Sequence, residues 1–314
     1  MTNRAPVISV RIIGGLGNQL FQLAVALHLR DVFDLPVVLD RQFYFEDHPF
    51  MDHRVFELAE LAHGFTLIRG RGQSTRLRAL PRALRSRIIT RGAKLELIDD
   101  VSRKAAVIGA QDPLSEFYAA LAKTNAPNFQ YATAAQSNTA ALRSLLEARM
   151  PAAFERESDS PYIGVHSRLG DYLGKDWDNP LGATDPAALL ELGRQLSEKH
   201  GGLPIRVFTD SPKIFKHLCP ESRVGPYELS TAISSWDALT EMARSHAFVM
   251  SNSTLSWWAA FIATTYRDEP TEVLMPHPWM SHPGTWDELL PLPEWTRFER
   301  SLLSDSVDLS EFEH

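Results

Sequence analysis

The sequence predicts an α/β protein built from two Rossmann-like domains. Three observations carry that expectation. The chain has 314 residues, more than one hydrophobic core usually serves. A strand, a glycine loop and a helix follow one another near the N-terminus. Strand and helix signals then alternate over residues 162–276, as in a parallel, doubly wound sheet.

The first element is the apolar run Val7 to Ile13, a strand, which opens into Gly14-Gly15-Leu16-Gly17-Asn18-Gln19 and a helix with Leu20, Leu23, Ala24 and Leu27 on one face. Such a junction presents backbone N–H groups and a helix dipole to an anion. The nearest generic motif is the dinucleotide fingerprint, aligned on Gly15 and Gly17, with Asp40 at the end of PVVLD as its ribose-binding acid. Its third glycine is replaced by Leu20. An NAD-dependent oxidoreductase is therefore a rival reading, and a tight turn without a ligand is the plain one.

After Asp40 comes a loop of aromatic, acidic and histidine residues from Phe43 to His53. Its spacings match no metal site, which leaves a sugar-gripping loop or simple packing. Strands are expected at 65–68, 94–98 and 105–109. Between the first two lies a basic stretch in which Arg76, Arg78, Arg82, Arg85 and Arg87 accompany Leu77, Leu80, Leu84 and Ile88. The helical spacing describes a basic amphipathic helix over 74–91: a solvated face, with peripheral membrane contact as the alternative. Residues 124–160 are rich in Ala, Asn, Ser and Pro, so the expected domains are 1–155 and 156–314.

The second half begins with strand YIGVH (162–166), then a helix 187–199, strand 204–210, helix 212–218, helix 237–245, strand 247–251, helix 257–265 and strand 272–276. Three strand ends carry charges or hydroxyls: His166 and Arg168, Thr209 and Asp210, Ser253 and Thr254. On one edge of a parallel sheet these would form a nucleotide-diphosphate site. Arg168 is suited to phosphate oxygens as a permanently charged fork; the alternative is an ion pair with Asp171 that merely braces the loop. Trp257 and Trp258 read as core.

Residues 1–155 hold 19 Lys and Arg against 15 Asp and Glu, and residues 156–314 hold 13 against 24. Neither half has the basic excess of a nucleic-acid binder. The only cysteine is Cys219, which leaves no internal disulfide, and no apolar run approaches the roughly 20 residues needed to span a bilayer. With no signal-like pattern after Met1, the expected location is the cytoplasm, at most peripheral at the inner face of the cytoplasmic membrane.

Three motifs then occur in order: GGLGNQLFQ from Gly14, HSRLGDY from His166, and SNSTLSWWAA from Ser251. Together they resemble the α-1,2-fucosyltransferase family. The resemblance implies a GT-B-like enzyme that moves L-fucose from GDP-β-L-fucose to the 2-hydroxyl of a galactose-type acceptor glycan, in some cases lipid-linked. It implies inversion, no metal and no cofactor beyond the donor. It assigns Arg168 to the β-phosphate, His166 and Asp237 to guanine, Gly15, Gly17, Asn18 and Gln19 to the diphosphate, and Ser253 and Thr254 to hydroxyl contacts, with Asp210 as a second candidate for guanine. The family carries a second arginine where this chain has Leu169, so Arg168 must supply more of the charge. The Asp176-Trp177-Asp178 triplet has the form of a metal-binding motif but reads as acceptor loop or surface. Asp171, Asp47 and Asp52 are the candidate bases. A catalytically silent GDP-sugar or glycan-binding protein would carry the same motifs.

Overall fold

The computed structural model describes residues 7–33, 36–45, 54–69, 95–98, 130–155, 160–173, 181–268, 271–284 and 286–303. The chain divides into two compact units, Met1–Leu142 and Arg143–His314. Composition places the boundary at 155. Residues just after Leu142 belong with the second unit because Phe154 stacks on Tyr266 and Arg149 lies over the Trp236 ring. The basic stretch 74–91, the strand expected at 105–109, Asp47, Asp52, Asp176 and Asp178 lie outside the described residues.

In the first unit, β1 (Val7–Arg11), β2 (Val37–Asp40), β3 (Thr66–Ile68) and β4 (Leu95–Ile98) form a parallel sheet in the order β3-β2-β1-β4. Helix α1 (Leu16–Phe33) follows the glycine loop. Leu20, Leu23, Ala24 and Leu27 are all buried, and so are Phe21, Gln22, Val25 and Ala26. The helix is therefore buried nearly all round, which explains its unbroken apolar run. Helix α2 (Ala132–Gln136) packs against α1, and the Asn138 side chain just beyond it donates to the Ala24 carbonyl at 3.0 Å. Helix α3 (Thr139–Arg149) leads out of this unit.

The second unit has β5 (Ile163–Ser167), β6 (Ile205–Thr209), β7 (Glu228–Leu229), β8 (Ala247–Val249), β9 (Glu272–His277) and β10 (Thr296–Glu299), in the order β10-β9-β8-β5-β6-β7, all parallel. The first strand is central, the next two lie on one side and the last three on the other. This is the Rossmann order, with its switch point between β5 and β8. Helix α4 (Pro186–Lys199) packs on β5; Asp185 caps it by accepting from the Ala187 amide at 2.9 Å, and Pro186 starts it. Helices α5 (Pro212–Leu218) and α6 (Glu221–Val224) follow β6. Helix α7 (Ser235–Ala243) packs on α8 (Thr254–Thr265), and α9 (Trp286–Leu289) precedes β10. Trp257 and Trp258 are fully buried in edge-to-face contact at 5.2 Å, and the Trp257 indole donates to the Leu290 carbonyl at 2.7 Å. The pair is core.

Candidate functional site

Because all six strands of the second sheet run parallel, one edge collects every strand's carboxyl end. Ser167, Thr209, Val249 and Glu299 end β5, β6, β8 and β10 there. The three strand ends singled out in the sequence thus meet on adjacent strands, around the switch point where ligands of such sheets bind.

Arg168 leaves the end of β5 between two carboxylates. Its Nε and Nη2 donate to Asp171 Oδ1 at 3.0 and 2.7 Å, and Nη1 lies 3.0 Å from Asp210 Oδ2. Burial opposes the guanidinium charge, but Asp210 and Asp171 outweigh it and raise the pKa further. Asp210 also accepts the Leu169 amide at 2.9 Å. The acid after β6 therefore fixes both the backbone and the cation after β5. Gly170 keeps this corner open, since a Cβ there would collide with the Asp210 carboxylate. Asp171, with both Arg168 contacts on one oxygen, is a brace. Arg168 still keeps donors beyond these contacts, because a guanidinium has five N–H groups.

His166 is buried on β5, and its Nδ1 lies 2.9 Å from the Ser251 hydroxyl, joining β5 to the loop after β8 across the switch point. Burial, and then the Arg168 charge, push its pKa down to about 3, against about 6.5 in an unfolded chain. Between those values the unfolded chain binds a proton that the folded chain refuses. The His166 contribution is therefore complete above about pH 6.5 and is lost as the pH falls toward 3, at up to about 1.4 kcal/mol per pH unit. Acid titrations followed by circular dichroism should show the parent losing stability more steeply than His166→Gln over this window. Parallel curves would show that His166 is not held neutral.

Ser253 takes the N-cap position of α8 with extended backbone, yet its hydroxyl makes no capping bond. Ser256 instead turns back to accept the Ser251 amide at 3.2 Å. The first turn of α8, with Ser253 and Thr254, thus faces the edge with backbone donors not satisfied by its own cap. Next to it, Asn252 binds the Leu181 carbonyl at 2.9 Å through its side chain and accepts the Tyr172 hydroxyl at 3.1 Å through its backbone.

Asp237 sits at the third position of α7 in a capping box: its Oδ2 accepts the Ser234 amide at 3.1 Å and the Ser234 hydroxyl at 2.7 Å. The Ser234 bonds hold its carboxyl below the usual aspartate range. It lines an open depression with Thr231, Ala232, Ile233, Thr240 and Glu241, in which Ile233 is 97% exposed.

The first unit holds the remaining candidates. Gly14 has φ of +80°, and a Cβ there would lie 2.6 Å from the Asn18 amide, so glycine is required on both counts. Gly15 follows it, and Gly17 lies in the first turn of α1. Asn18 Oδ1 accepts from Gln130 at 3.1 Å. Gln19 corrects its expected diphosphate role. It is fully buried, donates to the Gly14 and Val55 carbonyls at 3.0 and 2.8 Å, and accepts the Glu57 amide at 2.9 Å. Its amide is consumed in tying the glycine loop to the segment after residue 53. The oxidoreductase reading finds no support here: Leu20 is buried in the third glycine position, and Asp40 is buried with Oδ1 on the Gln42 amide at 2.9 Å.

Sequence reasoning missed Arg300. Buried at the end of β10, it donates to the carbonyls of Leu181, Gly182, Trp279 and Met280 at 2.7–3.4 Å. Burial pushes its pKa down to about 10. A lone arginine after an exposed strand gives no signal of such a role.

Among the described residues, no group of three or more His, Cys, Asp or Glu side chains could hold a metal ion, and no helix is long and apolar enough to cross a membrane. A family model described as glycosyl transferase family 11 matches residues 138–297, a span that includes HSRLGDY and SNSTLSWWAA. No curated protein matches the sequence. Similar solved structures include POFUT1 in complex with GDP (12% identity over 87% of this chain and 98% of that one, TM-score 0.43). The α-1,6-fucosyltransferase NodZ, co-crystallised with GDP, matches at 17% identity over 84% and 94%, TM-score 0.42; another NodZ structure names Bradyrhizobium as the source. The E. coli heptosyltransferase WaaC with ADP matches at 12% identity over 94% and 93%, TM-score 0.43.

Proposed function

The chain belongs to glycosyl transferase family 11, and from that premise we propose that it transfers L-fucose from GDP-β-L-fucose to the 2-hydroxyl of a galactose-type acceptor, with inversion and without a metal. One observation carries the reading: Arg168, the His166–Ser251 link and the N-terminus of α8, whose N-cap Ser253 makes no side-chain capping bond, lie around the switch point of the second sheet. The resemblance of the three motifs to those of the α-1,2-fucosyltransferases supports this choice of sugar and linkage.

Breaking the bond between fucose and phosphate leaves a diphosphate and a cationic sugar, so negative charge grows on the β-phosphate oxygens. Donors fixed in advance at that point act mainly on the transition state. Arg168 is held by its two aspartates in one orientation, with donors to spare, and the α8 first turn adds backbone N–H groups and the hydroxyls of Ser253 and Thr254. A permanent cation performs the charge stabilisation that a metal supplies elsewhere. Asp171, held by Arg168 through one oxygen, remains the candidate base for the acceptor hydroxyl among the described residues, beside Asp47 and Asp52.

The test is transfer of radiolabelled fucose from GDP-fucose to β-galactosides, in excess EDTA and with added Mg²⁺ or Mn²⁺. Equal transfer in all three supports the reading. Collapse on chelation, reversed by metal, would move the charge stabilisation to an ion. Tight GDP binding with no transfer would favour the silent binding protein.

Guanine recognition is assigned to Asp237. A carboxylate accepts in parallel from guanine N1–H and N2–H₂, a pattern adenine does not offer, and the exposed Ile233 beside it offers an apolar face to the base. Asp237→Asn is expected to weaken GDP at least tenfold by calorimetry, while loss of the capping box costs about 1 kcal/mol of stability. Unchanged GDP affinity with lowered stability would reduce Asp237 to a helix cap.

A further inference from the structure

The carboxyl edge of the first sheet carries a second cationic feature, distinct from Arg168. Arg41 follows β2 and Arg69 follows β3; the two strands pair in parallel, and the Arg41 amide extends the ladder to the Ile68 carbonyl at 3.0 Å. The two arginines are therefore neighbours. Between them a short 3-10 turn, Gln42–Phe45, presents Phe45 with 45% of its surface exposed. The Arg69 guanidinium lies 4.1 Å from the centroid of the Phe45 ring and that of Arg41 5.5 Å from it. Arg41 also lies 5.9 Å from the Phe56 centroid.

Neither arginine has a carboxylate within ion-pair distance among the described residues, and Arg41 Nε is buried without a hydrogen-bond partner. Two like charges drawn to one ring repel each other. Aromatic contact offsets part of that cost, and an anion between the two forks would offset the rest while meeting their donors pairwise. The turn that carries the ring is rigid: Asp40 Oδ1 accepts the Gln42 amide, and the Tyr44 hydroxyl donates to the Gly14 carbonyl at 2.9 Å. That last bond makes the feature continuous with the glycine loop.

We propose that Arg41 and Arg69, oriented by Phe45, form an anion subsite for the acceptor, so that the preferred acceptor is a galactose-type saccharide bearing an acidic group. This rests on the fucosyl-transfer reading. The group is a carboxylate of an acidic sugar or a phosphate at the reducing end; both fit the same pair of forks.

The experiment uses the full chain with saturating GDP-fucose and three acceptors: methyl β-galactoside, a glucuronosyl-galactoside and galactose 1-phosphate. One or both acidic acceptors should show a KM at least tenfold below the neutral one, and the acceptor favoured identifies the group. The advantage should shrink with rising salt. Arg41→Gln with Arg69→Gln should raise the acidic KM to the neutral value, Arg69→Lys should restore part of the difference, and GDP affinity by calorimetry should stay at the parent's value. Equal KM for neutral and acidic acceptors, or a double variant that keeps the preference, would overturn the subsite. Loss of GDP affinity in the double variant would also overturn it, assigning the arginines to the donor. If no galactoside accepts fucose, it is the transfer reading that fails, and calorimetry with the glucuronosyl-galactoside alone decides the subsite: binding lost in the double variant upholds it, and equal or absent binding overturns it.

Discussion

Arg168→Ala is expected to lower kcat for fucosyl transfer by on the order of 10²–10³, the usual loss when one preorganised donor to a developing anion is removed. Arg168→Lys is expected to fall nearly as far. Lysine keeps the charge but loses the fork that engages Asp171 and Asp210 together. The fall should lie in kcat more than in the KM for GDP-fucose, because the charge that Arg168 meets grows as the sugar–phosphate bond breaks. Arginine removal also leaves two carboxylates facing the diphosphate. Asp210→Asn, which keeps an acceptor for the Leu169 amide but loosens the cation, should therefore be milder than either arginine variant. Near-normal turnover in Arg168→Ala would remove the residue from the chemistry and return it to its bracing role alone.

Much of this site is legible in the sequence because its signals are local. Each of the three strand ends follows a short apolar run, and a parallel sheet places such ends on one edge whatever the loops do. The Trp257–Trp258 pair at a helix start likewise predicts its own burial. What escapes is long-range or weakly patterned. Gln19 belongs to the glycine motif, but its bonds to Val55 and Glu57 span more than thirty residues and leave no periodic trace. Arg300 clamps two distant loops through backbone carbonyls, which any sequence would supply. Strand β7 has two residues, and three of the four in β10 are exposed, so neither shows the apolar run that marks the interior strands. The division between the units falls inside the stretch 124–160 that composition marks, but composition does not show that Arg149 and Phe154 pack on Trp236 and Tyr266 of the second unit.

Leu169, which stands where the motif it resembles has a second arginine, yields a further test with a large expected effect. Its amide is bound by Asp210, but its side chain points the other way and is fully buried in the cluster formed by Ile163, Val165, Leu189, Val207 and Phe215. A guanidinium placed there would lose the leucine packing, worth about 2–5 kcal/mol for truncation alone, and would bury a charge with no partner in an apolar cluster. Leu169→Arg is therefore expected to destabilise the second unit by about 4 kcal/mol or more, at the extreme of single substitutions, rather than to restore a second cation to the donor site. Leu169→Met, which conserves volume, should cost less than about 1.5 kcal/mol. Urea denaturation of the two variants beside the parent measures the difference, and fucosyl transfer measured below the unfolding range shows whether the charge has any catalytic use. An arginine variant as stable as the parent and more active would mean that the segment Arg168–Gly170 turns to bring position 169 to the edge, and that Leu169 is not a core residue.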